Sequence, residues 1–496
     1  MDLTAHLPAL QVVVPMLSAP LIVLLQPRGL AWAGATAVAL LSFAIALVLT
    51  LAVLDGQTIE YAMGGWAAPY GIALSVDAFS ALMLLVVTGA SATALLAGKP
   101  SIDQQIEAER QPLFYSAWLL VLSGLVGIVV AADAFNIFVF MEISSLASYI
   151  LIAGGPNRRA LPAVFKYLMM GTIGATFYLI GVGLIYMMTG TLNLADMEVR
   201  LGDVTDINPI LVAAGFITIG LALKAAVFPL HVWAPNAYTH APHMVTVFLA
   251  ACATKVALYV LIRFDYMVFQ ATLDAHEVQF ALFAMPLAIL GILVASAVAM
   301  FEGNLKRLLA SSSIAQIAYI LLGTSFVSMA GLSASAVHMF NHALAKGGLF
   351  LAVACLAYQY RDLRLDQLGG ASTRMPWTCA AFVVCGLSLI GVPGTAGFIS
   401  KWMLISASLE TGTWGWGLVA IILISSLMAV VYIWRVVEAL YFQAPIEGDV
   451  PMSEAPVQLL LVTGLVALMN IYFGLFPHVP LELANSAAAL LLEGSR

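Results

Sequence analysis

Residues 209–264 read PILVAAGFITIGLALKAAVFPLHVWAPNAYTHAPHMVTVFLAACATKVALYVLIRF. Two long apolar runs each carry one lysine deep inside, Lys224 and Lys255, and a Pro- and His-punctuated break from Pro229 to Pro242 lies between them. Runs of this length and polarity read as membrane-spanning helices. A lysine at the centre of such a helix costs about 2.5 kcal/mol or more, so a bilayer-buried cation points to function. Desolvation penalises the charged form, which suits a buried amine to passing a proton on. Two such lysines in consecutive helices strengthen that reading.

Composition agrees. The 496 residues are 62% hydrophobic and only 9% charged, with a mean hydropathy of +1.01, which places the chain among polytopic membrane proteins. A net charge of −7 and the lack of a basic arm argue against a nucleic-acid partner. The four cysteines, Cys252, Cys355, Cys379 and Cys385, lie in apolar segments without CxxC spacing and read as small core residues. No P-loop, Rossmann glycine fingerprint or cysteine cluster motif is present, so no cofactor and no nucleotide or redox chemistry are expected. The N-terminus lacks the basic region of a cleaved signal, and Leu7 to Leu25 is read as a retained first helix.

Apolar runs predict fourteen spans: 7–25, 30–54, 73–97, 113–132, 134–153, 163–188, 209–239, 242–264, 277–301, 305–327, 332–358, 376–411, 414–442 and 456–476. Two are overlong and broken, one at Pro229 in VFPLHVW and one at Pro393-Gly394 in LIGVPGTAGFISKW. Unwound backbone at membrane depth persists only where protein or a water cavity surrounds it. Paired discontinuous helices in two halves of a chain point to a transport site. The breaks lie five spans apart. The division expected is three N-terminal spans in 1–112, five-helix repeats in 113–264 and 277–442, and a last helix with a tail in 443–496.

With fourteen spans, successive loops alternate faces. The odd-numbered loops and their helix ends hold Arg28, Lys99, Arg110, Arg158, Arg159, Lys166, Lys306, Arg307, Arg361, Arg364, Arg374 and Arg435. The even loops and termini hold Arg200, Arg263 and Arg496. Twelve against three is a positive-inside bias, which predicts cytoplasmic odd loops and both termini outside a cell membrane.

Other ionisable residues fall inside spans. Glu142, in FNIFVFMEISSLASY, lies mid-span and needs a cationic partner; a lysine of another helix is the natural one. Lys401 follows the second break as Lys224 precedes the first. His338, His342 and Lys346 recur at a spacing of four, share one helix face and suit a proton relay, since histidine titrates near neutrality. Two histidines at this spacing can also ligate zinc, but no third ligand is nearby and no metal is expected. The charge state of Lys255 is expected to follow its neighbours' protons, a glutamate's among them. His231, His240 and His243 lie in or beside the first break, and His231, His243, Ser312 and Lys346 are candidates for lining a cavity. Ser311, Ser313 and Gln316 suit a water path or polar packing between helices. Asp77, Asp133 and Glu302 lie near span ends and read as interfacial, and Arg435 with Glu438 as a local pair.

At these residues the chain resembles the antiporter-like membrane subunits of respiratory complex I and of Mrp-type multisubunit cation/proton antiporters. The resemblance runs from about Asp77 to Phe442. Its most specific stretches are FNIFVFMEISSLASY, FKYLMMGTIGATFYLIGVGLIYMMTGTLN, LKAAVFPLHVWAPNAYTHAP, ATKVALYVLIR, LKRLLASSSIAQIAY, HMFNHALAKGGLFL and GVPGTAGFISKW. Within the family it is most similar to the D-type component of Mrp antiporters, by length and by the stretches TGTLNLADM and TKVALYVLIRF. The resemblance implies an all-α polytopic protein of about fourteen helices in two inverted five-helix repeats, with two broken helices. It also implies a polar axis at mid-membrane, which falls here on Glu142, Lys224, Lys255, His338, His342 and Lys401. Ala234, Asn236 and Tyr238 depart from the commoner PLHxWLPDAH pattern, and His243 stands where a small residue is usual.

The function expected is proton translocation in a multisubunit Mrp-type sodium/proton antiporter, as one component of a secondary transporter rather than an enzyme. Its partners would be other membrane subunits, protons, monovalent cations and the lipid bilayer. The alternatives are a proton-pumping subunit of a complex I-like or hydrogenase-like oxidoreductase, and a membrane partner in another ion or bicarbonate uptake complex.

Overall fold

The computed structural model describes residues 3–25, 28–54, 56–274, 280–360, 362–444 and 453–493. The start of the second repeat at 277 and two of the basic residues in the charge comparison, Arg361 and Arg496, lie outside them.

Among the described residues twenty α-helices follow one another: α1 Leu7–Val23, α2 Arg28–Leu54, α3 Ala78–Gln105, α4 Gln111–Val130, α5 Ala134–Ala153, α6 Ala160–Thr189, α7 Leu194–Leu201, α8 Asn208–Ala225, α9 Trp233–His240, α10 His243–Arg263, α11 Gln270–Asp274, α12 Ala281–Phe301, α13 Leu305–Thr324, α14 Met329–Gln359, α15 Ala371–Arg374, α16 Pro376–Ile390, α17 Ala396–Leu409, α18 Gly415–Tyr441, α19 Val457–Leu475 and α20 His478–Glu493. A short antiparallel hairpin, β1 Ile59–Ala62 and β2 Ala73–Val76, joins α2 to α3. Among the described residues twelve helices are long and apolar enough to cross a membrane. Adding the 17-residue α1 and the paired α16 and α17 gives the fourteen segments expected. The chain is an all-α polytopic membrane protein. One element departs from expectation: the tail after 476 forms α20, whose Leu483, Ala484, Ala487, Ala488 and Leu491 are buried, packing it on α14 and α3.

Side-chain caps set several helix starts. Asp77, Asp133, Asn193, Asn304 and Ser328 each accept a backbone N–H in the first turn of α3, α5, α7, α13 and α14. Capping counts for more here than in water, because lipid offers the orphan amides of a helix start nothing in exchange.

Contacts between loops sort by parity. On the odd-loop face Gln105 accepts from the His243 amide, Lys306 donates to the Ala241 carbonyl, Asn304 bridges Arg364, and Glu454 accepts from the start of α16. On the even-loop face Leu74 pairs with Ala131, Asp133 with Asn193, and Tyr266 donates to Thr324. This sorting is what alternating crossings produce. The unit α4–α10 is therefore entered from one face and α12–α18 from the other. α4 packs on α5 as α12 packs on α13, and α6 packs on α8 as α14 packs on α16. That is the inverted repeat.

Both breaks form where the sequence marks them. α8 stops at Ala225 because Pro229 cannot donate to a continuing helix. Ala226 turns left-handed at φ 56°, which costs a non-glycine residue roughly 1–2 kcal/mol. α16 stops at Gly391 and Gly394, with φ of 91° and 85°, where glycine takes the turn without that cost.

On the even-loop face, Asp77 receives both Oδ contacts from Arg263 Nη2 at 2.7 Å, with the guanidinium over the Tyr259 ring. Burial pushes the Asp77 carboxyl up, but the Arg263 charge and the hydrogen bonds from Arg263 and Ser80 outweigh it. Its net position is below the ordinary 3.8. The pair's contribution to stability is thus complete above pH 3.8 and is lost as pH falls further. Asp77→Asn should lower the stability of the purified protein by about 3–5 kcal/mol, because it strands a buried guanidinium. Unchanged thermal unfolding in detergent, compared from pH 5 to pH 9 (an assay range), would show that the pair is dispensable.

Candidate functional site

The inward faces of α5, α8, α10, α13, α14 and α17 carry a row of buried amines and imidazoles. At one end Lys224, on the last turn of α8, donates to Glu142 Oε1 at 3.1 Å and to Ser145 Oγ at 2.8 Å. The expected pairing of Glu142 with a lysine of another helix is present. Ser145 is the unexpected third member, one turn along α5 from the glutamate. Lys224 is 7% exposed, whereas the Glu142 side chain keeps 28%, so the carboxylate lies toward the outside of the chain. Trp233, the first residue of α9, stacks on Tyr167 at 4.0 Å and donates from Nε1 to the Leu223 carbonyl. That bond satisfies a carbonyl freed by the break and holds the end of α8 in place. A cavity of about 30 Å³, one water's share of volume, lies beside Lys224 among Ser144, Ser145, Ser148 and Tyr167.

Lys255 is fully buried in the middle of α10, and its ammonium donates to the Ala250 carbonyl. Among the described residues no carboxylate lies within ion-pair distance of it. Its charge state therefore follows no glutamate at this range, since Glu142 reaches Lys224. What Lys255 does face is α14, with His342, His338 and Lys346 in electrostatic range. His338 and His342 lie in near-parallel planes with centroids 6.2 Å apart, as their spacing on one face requires. Neither ring nitrogen of His342 has a hydrogen-bond partner among the described residues. His338 bridges two helices, with Nε2 3.1 Å from Gln316 Oε1 on α13 and Nδ1 2.9 Å from Ser400 Oγ on α17. Lys346 donates to Ser312 Oγ and to the Leu309 carbonyl. Among the described residues no ion pair or hydrogen bond links Lys224 to Lys255, and Lys255 in turn meets the α14 residues through charge alone.

Lys401 closes the row. Its ammonium donates to the Ile390 carbonyl at 2.8 Å and to Ser426 Oγ at 3.1 Å, and lies 5.1 Å from the Tyr319 ring centroid. It caps the second break as Trp233 caps the first. Ser400, its neighbour in sequence, reaches His338, so Lys401 and the histidine pair are one residue apart.

The candidates for a cavity divide. His231 lines a chamber of about 160 Å³ between α9, α12 and α13, with Asn236, Glu302, Arg307 and Ser311. Its Nδ1 has no partner among the described residues. Ser311 rather than Ser312 is in the chamber wall, because adjacent helical residues point about 100° apart. Ser312 serves Lys346, and Lys346 is buried against it. His243 is the first residue of α10, anchored through its backbone to Gln105 at the odd-loop face, and His240 stands beside Asn157. Lys306, a loop charge by its place in the sequence, is 3% exposed and donates to the Ala241 carbonyl between α9 and α10. Nothing in its sequence position separates it from Arg307, which is half exposed. Arg435 does not pair with Glu438; it donates to the Met300 and Glu302 carbonyls at the end of α12. Asp77 is a buried ion-pair partner, Asp133 a helix cap and Glu302 a partner of Arg307. All four cysteines are buried and free.

Comparison with known proteins matches this geometry to one family. Residues 131–429 match the model described as NADH:quinone oxidoreductase/Mrp antiporter, TM. The chain is 41% identical to the N component of the NADH-quinone oxidoreductase of Desulforudis audaxviator, over 89% of this chain and 87% of that protein. It is 27% identical to the D component of the Na(+)/H(+) antiporter of Bacillus subtilis, over 98% and 97%. Among solved structures it superposes on a chain of the Mrp complex from Dietzia sp. with a TM-score of 0.91 at 26% identity, covering 99% and 98%. A chain of the archaeal membrane-bound sulfane sulfur reductase gives 0.90 at 30%, with the same coverage. With a family match over more than half its length and a relative above 40% identity, the chain belongs to the NADH:quinone oxidoreductase/Mrp antiporter transmembrane family.

Proposed function

We propose that this chain is the proton-translocating subunit of a multisubunit Mrp-type sodium/proton antiporter in the cell membrane, with its odd loops in the cytoplasm. Residues 113–264 and 277–442 would be its two translocating units. The observation that carries the reading is the row of membrane-buried amines, of which all but Lys224 are held by hydroxyls and carbonyls rather than by carboxylates. A purely structural charge would be matched by a counter-charge. Only Lys224 has one; Lys255, Lys346 and Lys401 have none among the described residues. Amines held this way can gain and lose a proton without breaking an ion pair.

In this mechanism Glu142 and Lys224 exchange a proton across their 3.1 Å contact. Lys255, Lys346, His342 and His338 form the second group, and Lys401 follows in sequence on Ser400, the partner of His338. Water would have to complete the step between the two groups, and the small cavity beside Lys224 has room for one molecule. Full-length similarity to the D component of an antiporter and the superposition on a Mrp complex chain favour the antiporter.

The second reading is the same translocation driven by a redox partner, favoured by the 41% identity to a component of a quinone oxidoreductase. The two are separated by co-purification with mass spectrometry and by transport in membrane vesicles. Sodium-dependent proton movement with no electron donor present is the result expected. Proton movement seen only when a quinone is being reduced would replace the antiporter with the redox-driven complex.

Lys401 gives a sharper check on translocation itself. Lys401→Arg keeps the cation and its donors but cannot release a proton near neutrality. Transport should fall at least tenfold, the equivalent of about 1.4 kcal/mol in barrier, while assembly is unaffected. Transport at the parent rate would make Lys401 a helix-break cap and nothing more.

A further inference from the structure

The chamber between α9, α12 and α13 has a mouth, and the mouth is charged. Glu302 ends α12 and Arg307 sits in the first turn of α13; their Nε–Oε1 contact is 3.0 Å and crosses the side of the chamber toward the odd-loop face. Farther in, the wall carries His231 with its unpartnered Nδ1, and Ser311. Ser311 is next in sequence to Ser312, whose hydroxyl receives Lys346. The chamber wall and the Lys346 site are thus neighbouring faces of α13.

The two partners at the rim are not equally held. Arg435 grips the carbonyls of Met300 and Glu302, and the Gly303 carbonyl and Leu305 amide pair with Leu365 and Leu363. These bonds hold the Glu302 backbone, and its side chain is 19% exposed. The Arg307 side chain is 52% exposed, and Glu302 is the acidic partner it reaches. A half-exposed ion pair of this kind breaks easily, since water replaces most of what is lost. Arg307 is the longer and the more exposed of the two side chains, so it has more room to swing away. The carboxylate then faces the chamber alone.

We infer that the Glu302–Arg307 pair is the selective mouth of an access chamber for small hydrated cations, hydronium or a monovalent metal ion, leading toward His231 and Ser311. This rests on the translocation reading for what the chamber serves, and on the charge bias for which face it opens to. Paired, the two charges cancel and the arginine covers the opening. Unpaired, Glu302 leaves an uncompensated negative charge in a small chamber, where a single charge acts on what passes. Neither residue touches the buried row, so neither is a carrier; they set what reaches it.

Access can be measured without measuring transport. Ser311→Cys places a thiol in the chamber wall of a protein whose native cysteines are all buried. The full complex, in sealed inside-out membrane vesicles, is treated with the impermeant reagents MTSET (cationic) and MTSES (anionic). With the pair intact, both should label slowly and from the odd-loop face. Adding Arg307→Gln leaves Glu302 unmasked and should speed MTSET by about tenfold with little change for MTSES, the size of one charge acting over several ångströms at a surface dielectric. Adding Glu302→Gln leaves Arg307 unmasked and should reverse the preference. The swap of Glu302→Arg with Arg307→Glu should restore the slow, unselective rate. A reversal of sign is something loosened folding does not produce. Equal acceleration of both reagents, no change in either variant, or labelling only from the opposite face would each overturn the inference. Normal charge-dependent labelling in a complex that moves no protons would leave the mouth standing and reject the translocation reading instead.

Discussion

Replacing Glu142 with alanine should abolish cation-dependent proton transport in vesicles while the protein still inserts and assembles. Glu142 is the only acidic partner that Lys224 has among the described residues, and its loss leaves the ammonium with Ser145 Oγ alone at 2.8 Å. Stranding one partner of a buried pair costs about 3–5 kcal/mol. The lower end applies here, because the Glu142 side chain is 28% exposed and Lys224 can release its proton instead of staying charged. Release is the point: without Glu142 the proton on Lys224 has no return partner, and the first group stalls in one state. Glu142→Gln should stall it too, because an amide keeps the hydrogen bond and loses the titration. Normal sodium-dependent pH recovery in either variant would remove the pair from the mechanism. Loss of the protein from the membrane would instead make it a structural bridge between α5 and α8.

The second large effect is expected at the histidine pair. In His338→Gln/His342→Gln the hydrogen bonds of His338 to Gln316 and Ser400 can largely be remade by an amide, but neither position can carry a proton. Turnover should fall at least a hundredfold, about 2.7 kcal/mol in barrier, with unchanged expression and thermal stability. The single variants should separate the roles. His338 is fixed at both nitrogens, whereas His342 has neither nitrogen engaged among the described residues. His342→Gln alone should therefore cost little stability, and His338→Ala should cost more, since it abandons Gln316 and Ser400 inside a low-dielectric core. A double variant turning over at the parent rate between about pH 6 and pH 9 (an assay range) would send the proton by another path.

The two readings of function differ in what drives the proton, not in where it goes. The buried row and the two breaks serve either an antiporter or a redox-driven complex. The fold is common to both readings, and the neighbouring subunits separate them. For this reason the co-purification experiment carries as much weight as any substitution.

How much of this was legible in the chain itself follows from the solvent. In lipid every backbone amide must be satisfied locally, so helices are forced, and apolar run length alone locates them. The breaks were equally legible, because Pro229, Pro393 and Gly394 remove the donors or the chirality that a helix needs. Glu142, Lys224, Lys255 and Lys401 stood out because a charge in an apolar run is costly wherever the chain then goes. His338, His342 and Lys346 stood out because a spacing of four places them on one helix face. Partners were another matter. The apolar runs alone do not separate Lys224 from Lys255 as the partner of Glu142, since both lysines sit at similar depth in neighbouring helices; the family resemblance points to Lys224. The packing of α8 and α5 around α6 selects one of them. Lys306 and Arg307 are adjacent and chemically alike on paper. Packing buries Lys306 against the Ala241 carbonyl and turns Arg307 out to Glu302. Ser145, Ser400 and Ser426 became partners of the buried lysines and histidine only in three dimensions, and Ser312 proved a partner of Lys346 rather than a cavity wall, because a serine in a membrane helix serves equally as packing glue until a donor is seen to reach it. Local chemistry is written in the order of residues, whereas pairing depends on which helix faces meet, and only the packed structure settles that.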